Sequence, residues 1–248
     1  MNLEQLKNYN IFKEELLSLE LLKNQGFNNI SYLLKTTNKS YVIRVFKSNE
    51  SVNISREFEY KIQKKACKKS IASKPIFLNE NFMVYEYEKG IHKNELSKIE
   101  LKKLIKKIKT FHNFKIKEKP YDLKLDLENY SQKLTTKISK KLIDKCFRSI
   151  KILEKQKYEP VLTHHDLNPK NIIFSRNSIK IIDWEYAGVN DRFFDLASLC
   201  IEFKLNKNEE KIVLNSYFKT KKSYHKIKLK HYKIIYDSFC KLWFEANI

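Results

Sequence analysis

The sequence predicts an α+β fold in two parts: a small antiparallel sheet with one helix over residues 1–88, and a larger, mainly helical part over 89–248. Three observations carry this expectation. Period-two hydrophobic patterns concentrate in the first part, helical spacing runs through most of the second, and the polar stretch Glu86-Tyr87-Glu88-Lys89-Gly90 separates them. A chain of 248 residues with 42% hydrophobic and 13% aromatic residues can bury a sizeable core, as one large domain or as two lobes sharing a cleft.

Residues 27–46 alternate as two strands around a polar turn, with Ile30, Tyr32 and Leu34 on one side of Thr36-Thr37-Asn38-Lys39 and Tyr41, Ile43 and Val45 on the other. From about 51 to 66 the spacing turns helical, and Phe58, Ile62 and Ala66 form one stripe. At about 100° per residue, Glu59 lies about 60° from Ile62 and so can look inward. A second hairpin joins Ile76-Phe77-Leu78 to Phe82-Met83-Val84-Tyr85. Ser97-Lys98-Ile99-Glu100 then reads as a capping box ahead of the stripe Leu101, Leu104, Ile105, Ile108 and Phe111. The remainder reads as helical apart from residues 161–183.

Composition excludes several classes. The four cysteines form no CxxC pair and no zinc or disulfide spacing, which fits a reducing cytoplasm. The N-terminal residues lack the pattern of a signal peptide, and no run approaches the roughly 18 apolar residues of a membrane span, so a soluble cytoplasmic protein is expected. A formal charge of +21 invites a nucleic-acid reading, but lysines are spread over nearly every segment and only five arginines occur, whereas base recognition leans on the arginine fork. A solvated lysine coat is the simpler reading, and no nucleic-acid partner is expected.

The chemistry concentrates in Thr163-His164-His165-Asp166-Leu167-Asn168-Pro169-Lys170-Asn171, followed by Ile172-Ile173-Phe174, a turn at 175–178, and Ile179-Lys180-Ile181-Ile182-Asp183. This is a loop followed by a tight β-hairpin. Antiparallel pairing brings the start of one strand beside the end of the next, so Asn171 and Asp183 are expected to be neighbours and to hold magnesium through two hard oxygens. Asp166, five residues before Asn171, is placed to take the proton of an attacking hydroxyl.

His164-x-Asp166 with Asn171 resembles the catalytic loop of kinases, and Asp183-Trp184-Glu185 stands where protein kinases have Asp-Phe-Gly. The run from Ile182 to Ala197, containing Asp191-Arg192-Phe193-Phe194-Asp195, resembles the choline/ethanolamine kinase family, including bacterial choline kinases, within the aminoglycoside phosphotransferase and protein-kinase-like superfamily. The likeness extends from about Gly26 to Trp243. It implies the protein-kinase-like two-lobed fold, with ATP and Mg2+ between the lobes and a small-molecule hydroxyl as acceptor. Asp166, Asn171 and Asp183 would be catalytic, with the metal on Asn171 and Asp183. Arg44 would be the phosphate-binding cation, paired with Glu59, and adenine would lie against 86–88 (Glu86, Tyr87, Glu88). In the absence of a glycine-rich loop, Asn29 and Ser31 would cover the phosphates.

The interval from Asp183 to Asp195 leaves no room for a peptide platform, so the resemblance points to a small acceptor. It places Glu185, Tyr186, Glu202 and Trp243 on the acceptor side, with Glu202 on the quaternary ammonium of a choline-like substrate. It gives His164, Arg192 and Asp195 supporting roles; His112 and His165, with no second ligand or nucleophile at useful spacing, read as structural or loop polar residues. In Phe239-Cys240-Lys241-Leu242-Trp243, Cys240 replaces the first tryptophan of a family pair, which leaves half an aromatic cage. Thiamine, aminoglycoside and sugar kinases are alternatives on the same fold; a nucleotide-binding pseudokinase or a basic nucleic-acid-binding module is the non-enzyme alternative. Residues 211–236 carry eight lysines and no acidic residue, an unfavourable surface for a polycationic aminoglycoside.

Overall fold

A computed structural model describes all residues except 24, 27, 48–54, 177, 221 and 248. The chain divides into two compact units, Met1–His92 with Ile172–Tyr186, and Lys93–Asn171 with Ala187–Ile248.

In the first unit, α1 (Leu3–Lys7) precedes β1 (Leu16–Leu21), β2 (Asn29–Thr36), β3 (Ser40–Phe46), α2 (Arg56–Cys67), β4 (Pro75–Leu78) and β5 (Phe82–Glu86). The five strands form one antiparallel sheet in the order β1-β2-β3-β5-β4. Alternation along β3 sorts its side chains. Tyr41 and Ile43 join Leu6, Leu34, Phe82 and Val84 in one apolar cluster, with Tyr32 and Val45 packed against it. Arg44 belongs to the other alternating set and meets Glu59 of α2. Ser55 caps α2, and Ile62 and Ala66 are buried, as the helical stripe predicts; the expected start of this helix at 51 lies outside the described residues, as do Asn177 of the predicted 175–178 turn and position 27 of the first hairpin.

The chain continues into the second unit as α3 (Lys98–His112), α4 (Leu123–Lys133), α5 (Lys137–Leu153) and β6 (Pro160–Thr163). It then gives the first unit a hairpin, β7 (Ile172–Phe174) and β8 (Ile179–Ile181), before returning to the second as β9 (Gly188–Asp191), α6 (Phe193–Glu202), α7 (Lys207–Tyr217) and α8 (Ser223–Asn247). The capping box of Ser97 and Glu100 is formed, and all five residues of the α3 stripe are buried. In the hairpin Ile172 pairs with Ile181. The segment before it also reaches β7, where Ile91 and Phe174 exchange backbone hydrogen bonds of 2.9 Å. Gly90 permits this approach, since a Cβ there would lie 2.5 Å from Ile173 Cγ2 and 2.6 Å from the Phe174 carbonyl oxygen.

The described structure adds four short elements to those expected, α1, β1, β6 and β9. β9 pairs with β6 over Pro160–Thr163, with Thr163 opposite Gly188, and so fixes the chain on both sides of the 164–171 loop and the hairpin. Lys228 departs from the picture of a solvated lysine coat. It is buried on α8, 2.5 Å from Asp191 Oδ2 and 3.6 Å from Glu159, and donates to the Lys157 carbonyl. Asp191 also accepts the backbone N–H groups of Glu159 and Phe193, so this pair secures the start of α6. Among the described residues, no helix is long and apolar enough to cross a membrane.

Candidate active site

In the first unit a charge network is built around Arg44, which is 3% exposed. Its Nη2 lies 2.5 Å from Glu59 Oε1 and 3.4 Å from Glu185 Oε2, and its Nη1 donates to Asp183 Oδ1 at 2.8 Å. Arg56, in the first turn of α2, donates to Glu59 and Glu185 at 3.1 and 2.9 Å and lies 4.2 Å from the centre of the Phe46 ring. Asn29 joins the two sides: its Nδ2 donates to Glu185 Oε2 and its Oδ1 accepts from Arg56 Nη2. Asn28 donates to both Glu185 Oε1 and the Tyr186 hydroxyl. Burial opposes the charge on Arg44, but Glu59, Asp183 and Glu185 outweigh it and hold its pKa above the usual value. Burial likewise pushes Glu185 up, while the charge of Arg44 and the hydrogen bonds of Asn29 and Arg56 hold it below the usual carboxylate range.

Asp183 has φ 63°, in the left-handed region, where a non-glycine residue is strained. Ser31 lies in β2 opposite Arg44 and donates its N–H to Gln25 Oε1. At the end of the sheet, Glu86 is paired with Lys39, the Tyr87 N–H donates to the Ser40 carbonyl, and Glu88 is paired with Lys180.

In the second unit the 164–171 loop is tied to α6 by one buried carboxylate. Asp195 Oδ2 accepts the N–H of His164 and its Oδ1 accepts the N–H of His165, at 2.8 and 2.9 Å. His112 Nε2 lies 3.0 Å from Asp195 Oδ2, and its Nδ1 lies 2.7 Å from the Tyr217 hydroxyl, so α3 and α7 hold the carboxylate in place. Burial raises the Asp195 pKa, but His112 and the loop amides more than offset it, leaving an anion. His165 adopts φ 69°, and its ring lies close to Tyr121 and Phe194.

Asp166 follows this strained residue. Its Oδ1 accepts from Asn168 Nδ2 at 2.8 Å and its Oδ2 from Asn171 Nδ2 at 2.7 Å. Asn171 Nδ2 also donates to the Asp166 carbonyl, so its amide nitrogen is fully used and its Oδ1 is left as an acceptor. The His164 ring accepts the Asp166 N–H. Arg192 pairs loosely with Glu159 at 3.9 Å and approaches the Tyr217 ring. On the last turn of α6, Glu202 accepts from the Tyr236 hydroxyl at 3.0 Å, and Trp243 is partly exposed on α8.

The model of the phosphotransferase enzyme family, APH, matches residues 22–225. The chain belongs to this family. A LicA homolog protein of Mycoplasma capricolum is 30% identical over 228 residues, 90% of this chain and 88% of the relative. The crystal structure of the choline kinase LicA from Streptococcus pneumoniae superposes with a TM-score of 0.81 at 27% identity, covering 98% of this chain and 90% of that one. A crystal structure of LicA in complex with AMP gives 0.77 at 28% identity, with 97% and 86% covered. The fold is therefore the α+β, protein-kinase-like one that the sequence predicts.

The first unit of this phosphotransferase forms the expected Arg44–Glu59 pair and joins Asn29, Asp183 and Glu185 to it in one network. The second unit brings together Asp166, Asn171, His164 and Asp195. Arg56, Asn168 and Tyr236 are not singled out by the sequence, and His112, read there as structural, bonds Asp195 directly. Only Arg56 carried a local signal, its i,i+3 spacing to Glu59.

Proposed function

We propose that this phosphotransferase moves the γ-phosphate of ATP to the hydroxyl of choline or a related amino alcohol. Family membership and the similarity to choline kinase LicA and to its AMP complex support the acceptor class and the nucleotide. The observation that carries the chemistry is the state of Asp166: two side-chain amides hold its carboxylate on a loop hung from a buried anion.

Those amides leave Asp166 lone pairs with which to accept the acceptor's proton. As the hydroxyl oxygen bonds to the γ-phosphorus, the bond from that phosphorus to the ADP oxygen breaks, and Asp166 takes the proton. Arg44, kept cationic by three carboxylates, supplies fixed positive charge toward the nucleotide. Residues 86–88 would receive the adenine, and the region of Asn29 and Ser31 the phosphates.

The donor set fits magnesium. Asn171 Oδ1 is oriented as an acceptor because its nitrogen is engaged, and Asp183 offers a carboxylate; one or two protein oxygens suffice for this ion. Asn171 immediately precedes β7, and Asp183 lies two residues beyond Ile181, the partner of Ile172. Bound there, magnesium would neutralise phosphate charge. Glu202, with Trp243, Tyr186 and Glu185, would receive the acceptor, while His164, Arg192 and Asp195 support the loop.

ATP consumption with choline, ethanolamine, thiamine and kanamycin as acceptors tests the assignment. Choline or ethanolamine is expected to drive turnover, and Asp166→Asn to lower it by about 10²–10⁴-fold with ATP binding kept. Preference for a sugar alcohol, or an unimpaired Asp166→Asn variant, contradicts it.

A further inference from the structure

Tyr236 has no part in the chemistry above, yet it makes the one hydrogen bond to Glu202 among the described residues. It sits on α8, is buried, and packs edge-on against Phe194 with ring centres 5.7 Å apart. Its hydroxyl donates to Glu202 Oε1, which leaves Oε2 without a hydrogen bond among the described residues. Cys240 lies one helical turn further along α8. Its thiol is pushed up to about 12, chiefly by burial, and so stays neutral.

We propose that Tyr236 is a positioning residue for acceptor binding, fixing Glu202 through Oε1 so that Oε2 is presented to a cationic acceptor. This rests on the reading of Glu202 as the acceptor's anchor. The titratable groups facing Glu202 are Tyr236 and Cys240 from α8 and Asp166 from the 164–171 loop. Burial raises the Glu202 pKa, the negative charge of Asp166 raises it further, and Tyr236 alone pulls it down. Without the phenol, a half-buried carboxyl beside another anion takes up a proton at higher pH and ceases to attract a cation. The position that Cys240 occupies offers no aromatic face to compensate.

Tyr236→Phe keeps the ring against Phe194 and removes only the hydroxyl. Choline has a permanent charge, so any pH dependence of its KM reports on the protein. In the wild type KM for choline rises on the acid side; in Tyr236→Phe that limb moves up by about one pH unit, and KM within it rises about tenfold. KM for ATP moves less than twofold. A merely structural role would shift both KM values and leave the limb in place, and that result overturns the proposal. If the wild type does not turn over choline, the acceptor assignment fails instead. The titration of Glu202 is then followed directly by NMR of carbon-13 glutamate, with Glu202→Gln for assignment. An unchanged midpoint in Tyr236→Phe again overturns the proposal, and an upward shift sustains it.

Discussion

Replacing Arg56 with methionine tests the charge network that the sequence did not reveal. The network holds three carboxylates, on Glu59, Asp183 and Glu185, and two guanidiniums, on Arg44 and Arg56, so its formal charge is 2 − 3 = −1. The substitution takes it to −2 and leaves Glu59 and Glu185, both nearly inaccessible, to share Arg44. Removing one partner of a buried pair costs roughly 3–5 kcal/mol, since the remaining charge is left uncompensated. That is a large part of the total stability of about 5–15 kcal/mol expected of a domain.

The deficit depends on pH. In the wild type the folded pKa of Glu185 is depressed, so its contribution is present above the unfolded value and is lost as pH falls through the folded one. Without Arg56 that depression shrinks, although Arg44 and Asn29 still act against burial, so protonation on acidification relieves part of the variant's excess negative charge. Urea unfolding at pH 7.5 and 4.5 is expected to show a deficit that narrows on acidification. A loss below about 1 kcal/mol at pH 7.5, or an equal loss at both values, would refute the reasoning.

Other perturbations probe the second unit and the hairpin. Asp195→Asn turns an amide group toward a backbone N–H that Asp195 now accepts; it should cost about 3 kcal/mol in denaturant unfolding and lower turnover by more than its effect on ATP binding. Gly90→Ala drives a methyl group into Ile173 and the Phe174 carbonyl, and thermal unfolding should report a loss of about 1–3 kcal/mol.

How much of this could be read from residues alone follows from the range of each interaction. The strands of β2 and β3 and the cap of α3 are written in local patterns, and the spacing from His164 to Asp183 exposes the residues proposed to react. β1 was not legible because Leu16–Leu21 is leucine-rich on both faces, with Leu17 and Leu21 exposed at a sheet edge. β9 has no periodicity and exists through its pairing with the distant β6. No local pattern shows that both ends of the Asn29 amide engage Glu185 and Arg56, which lie far away in sequence. Lys228 counts as surface charge in any composition, and only Asp191 and Glu159, far away in sequence, give it a buried role.

Phosphorus NMR of the protein with ATP, magnesium and choline reads the central step most directly. Phosphocholine and ADP should appear in equal amounts, and neither should form when magnesium is removed by chelation or when Asp166 is replaced by asparagine. Inorganic phosphate as the sole new phosphorus species beside ADP, or phosphocholine formed unchanged by Asp166→Asn, would show that Asp166 is not the base that delivers the acceptor oxygen.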